Sequence, residues 1–136
     1  MTTLRRATVQ DSAFIESLCP GFGRVAPGFP RDTDLGFIAV REGADAGAVW
    51  SRLFTPDDPG PAWVGDDTRQ LGLGVVEGRR GEGIGRALMN GIIAATTTSL
   101  SVSVADDDPV EELFRKSGFV PVSRSGSSTV MVHSRR

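Results

Sequence analysis

Apolar and polar positions alternate along this chain in two rhythms, one of period two and one of period 3.6, and the switches between them predict its elements. Thr3 to Val9 reads as a short strand, and Asp11 or Ser12 caps a helix carrying Phe14, Ile15 and Leu18. Pro20-Gly21 stops that helix, and Gly21 to Asp34 is rich enough in glycine and proline to read as a loop with room for one helical turn. Leu35 to Val40 and Ala46 to Phe54 are apolar runs around Glu42-Gly43-Ala44-Asp45, a hairpin signal. A second loop spans 55–67, within which Ala62-Trp63-Val64 has the character to pack. Gln70 to Val76 reads as a strand whose two glycines mark a bulge or the close approach of another group. Ile84, Leu88, Ile92 and Ala95 share one helical face, with Ala87 and Gly91 beside them, and this helix runs to about Thr96. Leu100, Val102 and Val104 alternate with Ser101 and Ser103, as in a strand with one more polar face. Asp108-Pro109-Val110-Glu111 combines an acidic cap with proline at the first helical position, and the helix it opens ends at Gly118. Phe119 to Val122 and Ser128 to His133 form a last pair of strands around the turn Arg124 to Ser128. The order is strand, helix, hairpin, strand, helix, strand, helix and a terminal pair, with no internal repeat.

Composition narrows the function classes. At 136 residues the chain fits one domain, 1–136, with one core. A net charge of −2, with arginines scattered along the chain, supplies no basic field for nucleic acid. No apolar run approaches the ~18 residues of a membrane span, and the first residues carry no signal-peptide pattern. Cys19 stands alone and has no internal disulfide partner. The expectation is a soluble cytoplasmic protein that binds neither nucleic acid nor membrane.

Chemistry concentrates in Arg79 to Leu88, RRGEGIGRAL, where three glycines precede a helix. Each glycine inside a helix costs roughly 1 kcal/mol against alanine, so three beside a helix start need a local reason. An anion is such a reason, because backbone N–H groups converge at a helix start and the helix dipole favours negative charge. A P-loop would need Gly-Lys-Ser/Thr, yet the sole lysine is Lys116 after Arg115. A dinucleotide fingerprint fails too, since its third glycine would fall on Leu88 or Arg86.

Arg80-Gly81-Glu82-Gly83-Ile84-Gly85 resembles the R-x-x-G-x-G signature of the GNAT N-acetyltransferases. Leu113-Phe114-Arg115-Lys116-Ser117-Gly118-Phe119 resembles that family's second block, and the order of elements agrees along the whole chain. The resemblance implies an α/β (α+β) fold, a mixed, mostly antiparallel sheet splayed at its centre with helices on both faces. It implies that acetyl-CoA lies in the opening between the strand ending near Val76 and the strand Leu100 to Ala105. Backbone groups from Arg79 through Arg80, Gly81, Glu82, Gly83, Ile84 and Gly85 to Arg86 would hold the pyrophosphate, with Leu73, Val75 and Val76 pairing with the pantetheine arm. A substrate's primary amine would attack the thioester directly in a ternary complex. No metal is implied.

The chain also departs from the pattern. Asp106-Asp107-Asp108 stands where many members have an asparagine on the pantetheine arm, and Asp108 serves equally as a helix cap worth about 1 kcal/mol. Phe114 replaces the usual tyrosine whose hydroxyl protonates the leaving thiolate, and the chain has no tyrosine at all. A thiol of pKa ~8.5 departs tolerably without that help, so Phe114 is expected to pack near the thioester. Where members often carry a glutamate base, this chain has Asp66-Asp67-Thr68-Arg69-Gln70, which makes Asp67 or Asp66 the candidate base. His133 suits a base by type, but its place on a terminal strand argues for packing. Asp57, Asp58, Asp66 and Asp67 could form an acidic rim for a cationic amine, and Trp50, Phe54 and Trp63 fill a core or line a substrate pocket. Three readings follow: an acetyltransferase, an acyl-CoA-binding regulatory module without turnover, and a structural domain without a ligand. The edge strand near Val130 could pair two copies into a homodimer.

Overall fold

The computed structural model describes residues 2–18, 33–57, 59–60, 62–65, 67–79 and 81–134. Cys19, Asp58, Asp66, Arg80 and nearly all of the first glycine-rich loop lie outside them. Strands β1 (Thr2–Arg6), β2 (Leu35–Arg41), β3 (Ala44–Leu53), β4 (Thr68–Val75), β5 (Ser99–Ala105), β6 (Val120–Ser125) and β7 (Ser128–His133) form one sheet in the order β1-β2-β3-β4-β5-β7-β6. All neighbours are antiparallel except β4 and β5. Among the described residues the α-helices are α1 (Ser12–Leu18), α2 (Ile84–Ala95) and α3 (Val110–Lys116).

The alternation of strand residues sends two sets of side chains to two faces. On one face Val49, Leu71, Leu73, Leu100 and Val102 pack with α2 and with Phe114 of α3. On the other, Ile38, Ala48, Trp50 and Phe54 pack with Ile15 of α1, and Trp63 closes over them. Trp50 is also the reason for one strand glycine: a Cβ on Gly72 would lie 2.5 Å from its ring. The expected close approach is therefore real, and the ladder bulges instead at Ala46 of β3, opposite Ala39 and Val40, and in β6 between Pro121 and Ser123.

Several expectations need correction. The first strand stops at Arg6, because Thr8 and Asp11 form a reciprocal capping box around a 3-10 turn at Val9–Asp11. Asp11 is thus the third residue of the turn, accepting from the Thr8 N–H at 2.8 Å and from Arg5 at 2.8 and 3.0 Å. Ala95 is exposed at the end of α2, and Met89 supplies the buried contact instead. Val130 and His133 belong to β7, which is inserted between β5 and β6, so the terminal edge is β6. Val120 and Val122 are exposed on that edge. Ser101, on the more polar face of β5, is fully buried and donates to the Ala62 carbonyl at 2.8 Å, while Ser99 and Ser103 are half-buried.

Asp11 gives the fold an acid-sensitive contact. The Arg5 hydrogen bond, aided by the Thr8 N–H, holds its carboxyl below the ordinary 3.8. A depressed carboxyl stabilises the fold above its unfolded pKa, and that contribution is lost as pH falls through the lower folded value. Asp11→Asn should cost about 1 kcal/mol at pH 7 and flatten the acid limb of stability, as urea titrations between pH 2 and 7 would reveal.

Candidate functional site

Strands β4 and β5 run parallel but pair only over Thr68–Gln70 against Ser99–Ser101. Beyond that point β4 continues to Val75 and β5 to Ala105 without pairing, so the sheet opens at the carboxyl ends of its two central strands. That end is where open α/β sheets leave a crevice. Gln70 sits at the branch point, fully buried, accepting from the Ala62 N–H at 2.8 Å and donating to the Pro59 carbonyl. It fastens the loop after β3 over the point of divergence.

The opening forms a cavity of about 610 Å³. Leu73, Gly74 and Val75 of β4 make one wall, and Pro109, Val110 and Leu113 of α3 face them. Leu18 closes the α1 side, while Arg79, Gly81, Gly83, Ile84, Gly85 and Arg86 surround the start of α2. In an antiparallel ladder successive residues turn their N–H and C=O groups to opposite sides. Val76 donates to Ala46 of β3 at 2.8 Å, so Val75 turns its peptide groups the other way, into the gap.

At Gly81 and Gly83 the glycine turn is set by backbone conformation rather than by packing. Gly81 and Gly83 have φ of 83° and 81°, and a Cβ on either would meet nothing within 4 Å. Their backbone therefore needs glycine for its conformation, while the space above stays open. Gly83 stands at the N-terminus of α2 without a side-chain cap, and no acidic residue lies in the first turn. A helix start leaves its first N–H groups without helical acceptors, and Gly83, Ile84, Gly85 and Arg86 at this one line the cavity. Gly85 differs, because a Cβ there would lie 3.0 Å from Leu113 and would press α2 off α3.

Charges around this mouth are arranged in a chain. Arg79 contacts Glu42 at 2.7 Å and Glu82 at 3.5 Å, and Glu82 contacts Arg41 at 3.0 Å. Arg79 holds the exposed Glu42 carboxyl below its ordinary range. Arg86 makes no ion pair among the described residues.

Nine of the residues expected at a cofactor line the cavity: Leu73, Val75, Arg79, Gly81, Gly83, Ile84, Gly85, Arg86 and Asp108. Asp108 lines the mouth, and its Oδ1 accepts the Val110 N–H at 3.0 Å. Three others do not line the cavity: Val76 donates to Ala46 of β3, the Glu82 side chain turns to Arg41 and Arg79, and Phe114 is fully buried with its ring 5.2 Å from Phe119. Leu113, one residue earlier, takes the cavity position. Arg80 and Asp66 are outside the described residues. Asp67 is exposed at the opposite end of β4, accepts a 3.4 Å hydrogen bond from Thr68, and does not line the cavity. His133 packs against the Phe119 ring at 5.4 Å. Sequence reasoning passed over Leu18, Pro109, Val110 and Leu113 as lining residues, although the apolar face of α1 and the proline cap of α3 carried the signal.

No protein-family model matches the chain, and no curated protein matches its sequence. Solved structures do match its fold. The GNAT domain of S. lividans PAT superposes with a TM-score of 0.74 at 15% identity, covering 98% of this chain and 90% of that one. An IAA acetyltransferase from Bacillus cereus gives 0.74 at 15% identity over 98% and 99%. The PaiA N-acetyltransferase of Thermoplasma acidophilum, solved in complex with coenzyme A, gives 0.69 at 13% identity over 98% and 99%. No helix among the described residues is long and apolar enough to cross a membrane. With its seven-stranded mixed sheet opened between β4 and β5 and a glycine turn leading into α2, the chain has the fold of the GNAT acetyltransferases.

Proposed function

We propose that the protein is an N-acetyltransferase that moves an acetyl group from acetyl-CoA to a primary amine. The observation that carries this reading is the single opening that joins an anion-shaped turn to an apolar channel. A molecule with phosphates at one end and a long neutral arm at the other matches that order. The turn at Gly81 and Gly83, with Arg79 and Arg86, would hold the phosphates; Arg80 stands in the same motif. Val75 would pair its peptide groups with the amides of the arm, and Leu73, Ile84, Val110 and Leu113 would exclude water around it. When bound, the thioester supplies an activated acyl carbon and a thiolate leaving group. The chain's contribution is to hold the donor and admit the amine, which is catalysis by positioning. The candidate bases Asp67 and Asp66 belong to this reading, with water carrying the proton if Asp67 serves.

A second reading keeps the cavity and drops the chemistry. Phe114 offers no hydroxyl and is sealed in the core, and among the described residues the side chains lining the cavity include no histidine, cysteine, serine, threonine or glutamate, which favours an acyl-CoA-binding regulatory module. Calorimetric titration with acetyl-CoA, followed by a screen of amines for release of the free thiol, separates the two. Binding with amine-dependent thiol release is expected; binding that stays silent across polyamines, amino acids and peptides would select the regulatory module, and no binding would reject both. Spermidine is a concrete first amine, since a matching structure is a spermidine N-acetyltransferase from Vibrio cholerae (16% identity, TM-score 0.71, over 96% of this chain and 92% of that one).

A further inference from the structure

At the mouth of the cavity Arg79 is already paired with the protein's own carboxylates, and the sheet explains why. Gly47 of β3 is opposite Val75 of β4, so the turn between β2 and β3 and the glycine turn after β4 come to the same end of the sheet. Arg41 is paired with Ala44, leaving Glu42 and Gly43 as a two-residue turn with φ of 55° and 77°, the mirror-image type that suits strand twist. That tight turn aims the Glu42 carboxylate at Arg79, 2.7 Å away, where Arg79 lines the cavity. Glu82, inside the glycine turn, pairs with Arg41 at 3.0 Å. Two arginines and two glutamates therefore cancel at the place where a phosphate ligand would need positive charge.

We propose that Glu42 is a built-in competitor for the phosphates of the donor, and that binding transfers Arg79 from Glu42 to the ligand and frees the hairpin tip. This rests on the acetyl-CoA reading of the cavity. The Glu42 side chain is 70% exposed and that of Arg79 27% exposed, so the carboxylate can swing into water at little cost while the arginine stays at the mouth. Glu82 is held on its other side by Arg41 and does not leave. The device lowers the affinity for phosphate-bearing donors, which must displace a carboxylate to reach Arg79, and leaves neutral thioesters in the same channel unaffected.

Glu42→Gln tests it, with Glu42→Gly as a second variant that also relieves the positive φ and so guards against misfolding. Binding of acetyl-CoA and of S-acetylpantetheine, which keeps the thioester arm without phosphate, is measured by calorimetry. Removing an exposed competing pair should tighten acetyl-CoA by a factor of about three to five and leave S-acetylpantetheine unchanged. Asp45→Asn removes a charge from the same hairpin, but Asp45 pairs with Arg5 at 3.3 Å instead of Arg79, so its effect should be smaller. Wild-type binding with no tightening in either Glu42 variant overturns the proposal and leaves the acetyl-CoA reading standing. Equal tightening of both probes, or an equal gain from Asp45→Asn, also overturns it. Failure of every form to bind acetyl-CoA rejects the reading of the cavity and the proposal together.

Discussion

Gly83→Asp should abolish acetyl-CoA binding while leaving the protein folded. The position separates the two because a Cβ at Gly83 meets nothing within 4 Å, so no packing is disturbed. Its φ of 81° costs an L-residue of order 1 kcal/mol, and aspartate is among the side chains that tolerate that region best. An aspartate at a helix start also favours the helix dipole, which offsets part of the strain. The same carboxylate stands where the first-turn N–H groups would receive a phosphate. Two like charges about 4 Å apart repel by ~4 kcal/mol at a surface dielectric near 20, so affinity should fall at least about a hundredfold. Gly83→Ala introduces the strain without the charge and should lose far less. Calorimetry with acetyl-CoA, with circular dichroism to verify folding, makes the comparison; a folded Gly83→Asp protein that binds like wild type would mean that phosphates do not sit at this turn.

What could be read from the sequence depended on how local each feature is. The glycine turn, the proline-capped α3 and the hairpin at Glu42-Gly43 are set by neighbours along the chain, and each falls within two residues of where the pattern placed it: Pro109 caps α3 instead of opening it, and Ala44 and Asp45 join β3 instead of the turn. The opening between β4 and β5 came only through the resemblance, since pairing that stops at Gln70 and Ser101 is a tertiary outcome with no letter of its own. Gln70 illustrates the limit: as a residue it could only be said not to titrate, yet buried against Pro59 and Ala62 it organises the branch point. The Glu42–Arg79 pair joins residues 37 positions apart and follows from the strand register, so charge patterning alone could not find it. At Thr8 the difficulty was redundancy, because Asp11 and Ser12 are cap residues too, and only the 3-10 turn decides among them.

Asp34→Ala should destabilise the fold more than any surface change in this chain. Asp34 accepts two parallel hydrogen bonds from Arg52, from Nε and from a terminal nitrogen, each at 2.8 Å. Both side chains are nearly sealed, at 1% and 3% exposure, and the guanidinium also lies 5.9 Å over the Phe54 ring. Arg69 adds to the demand for this carboxylate: burial lowers its pKa and Asp34 raises it again. Removing one partner of a buried pair leaves an uncompensated charge, which costs about 3–5 kcal/mol. For a chain of this size that corresponds to a thermal midpoint lower by about 10 °C or more. The double variant Asp34→Ala, Arg52→Met removes the stranded charge as well and should recover most of the loss, because apolar replacement of a whole buried pair is often neutral. Arg52 is opposite Gln70 in the ladder, on the far side of the branch point from the cavity, so the folded double variant should keep its acetyl-CoA affinity. Thermal melts and calorimetry of the three proteins decide it. A single variant that melts within a few degrees of wild type would show that water reaches Arg52 and that the pair is not a buried one.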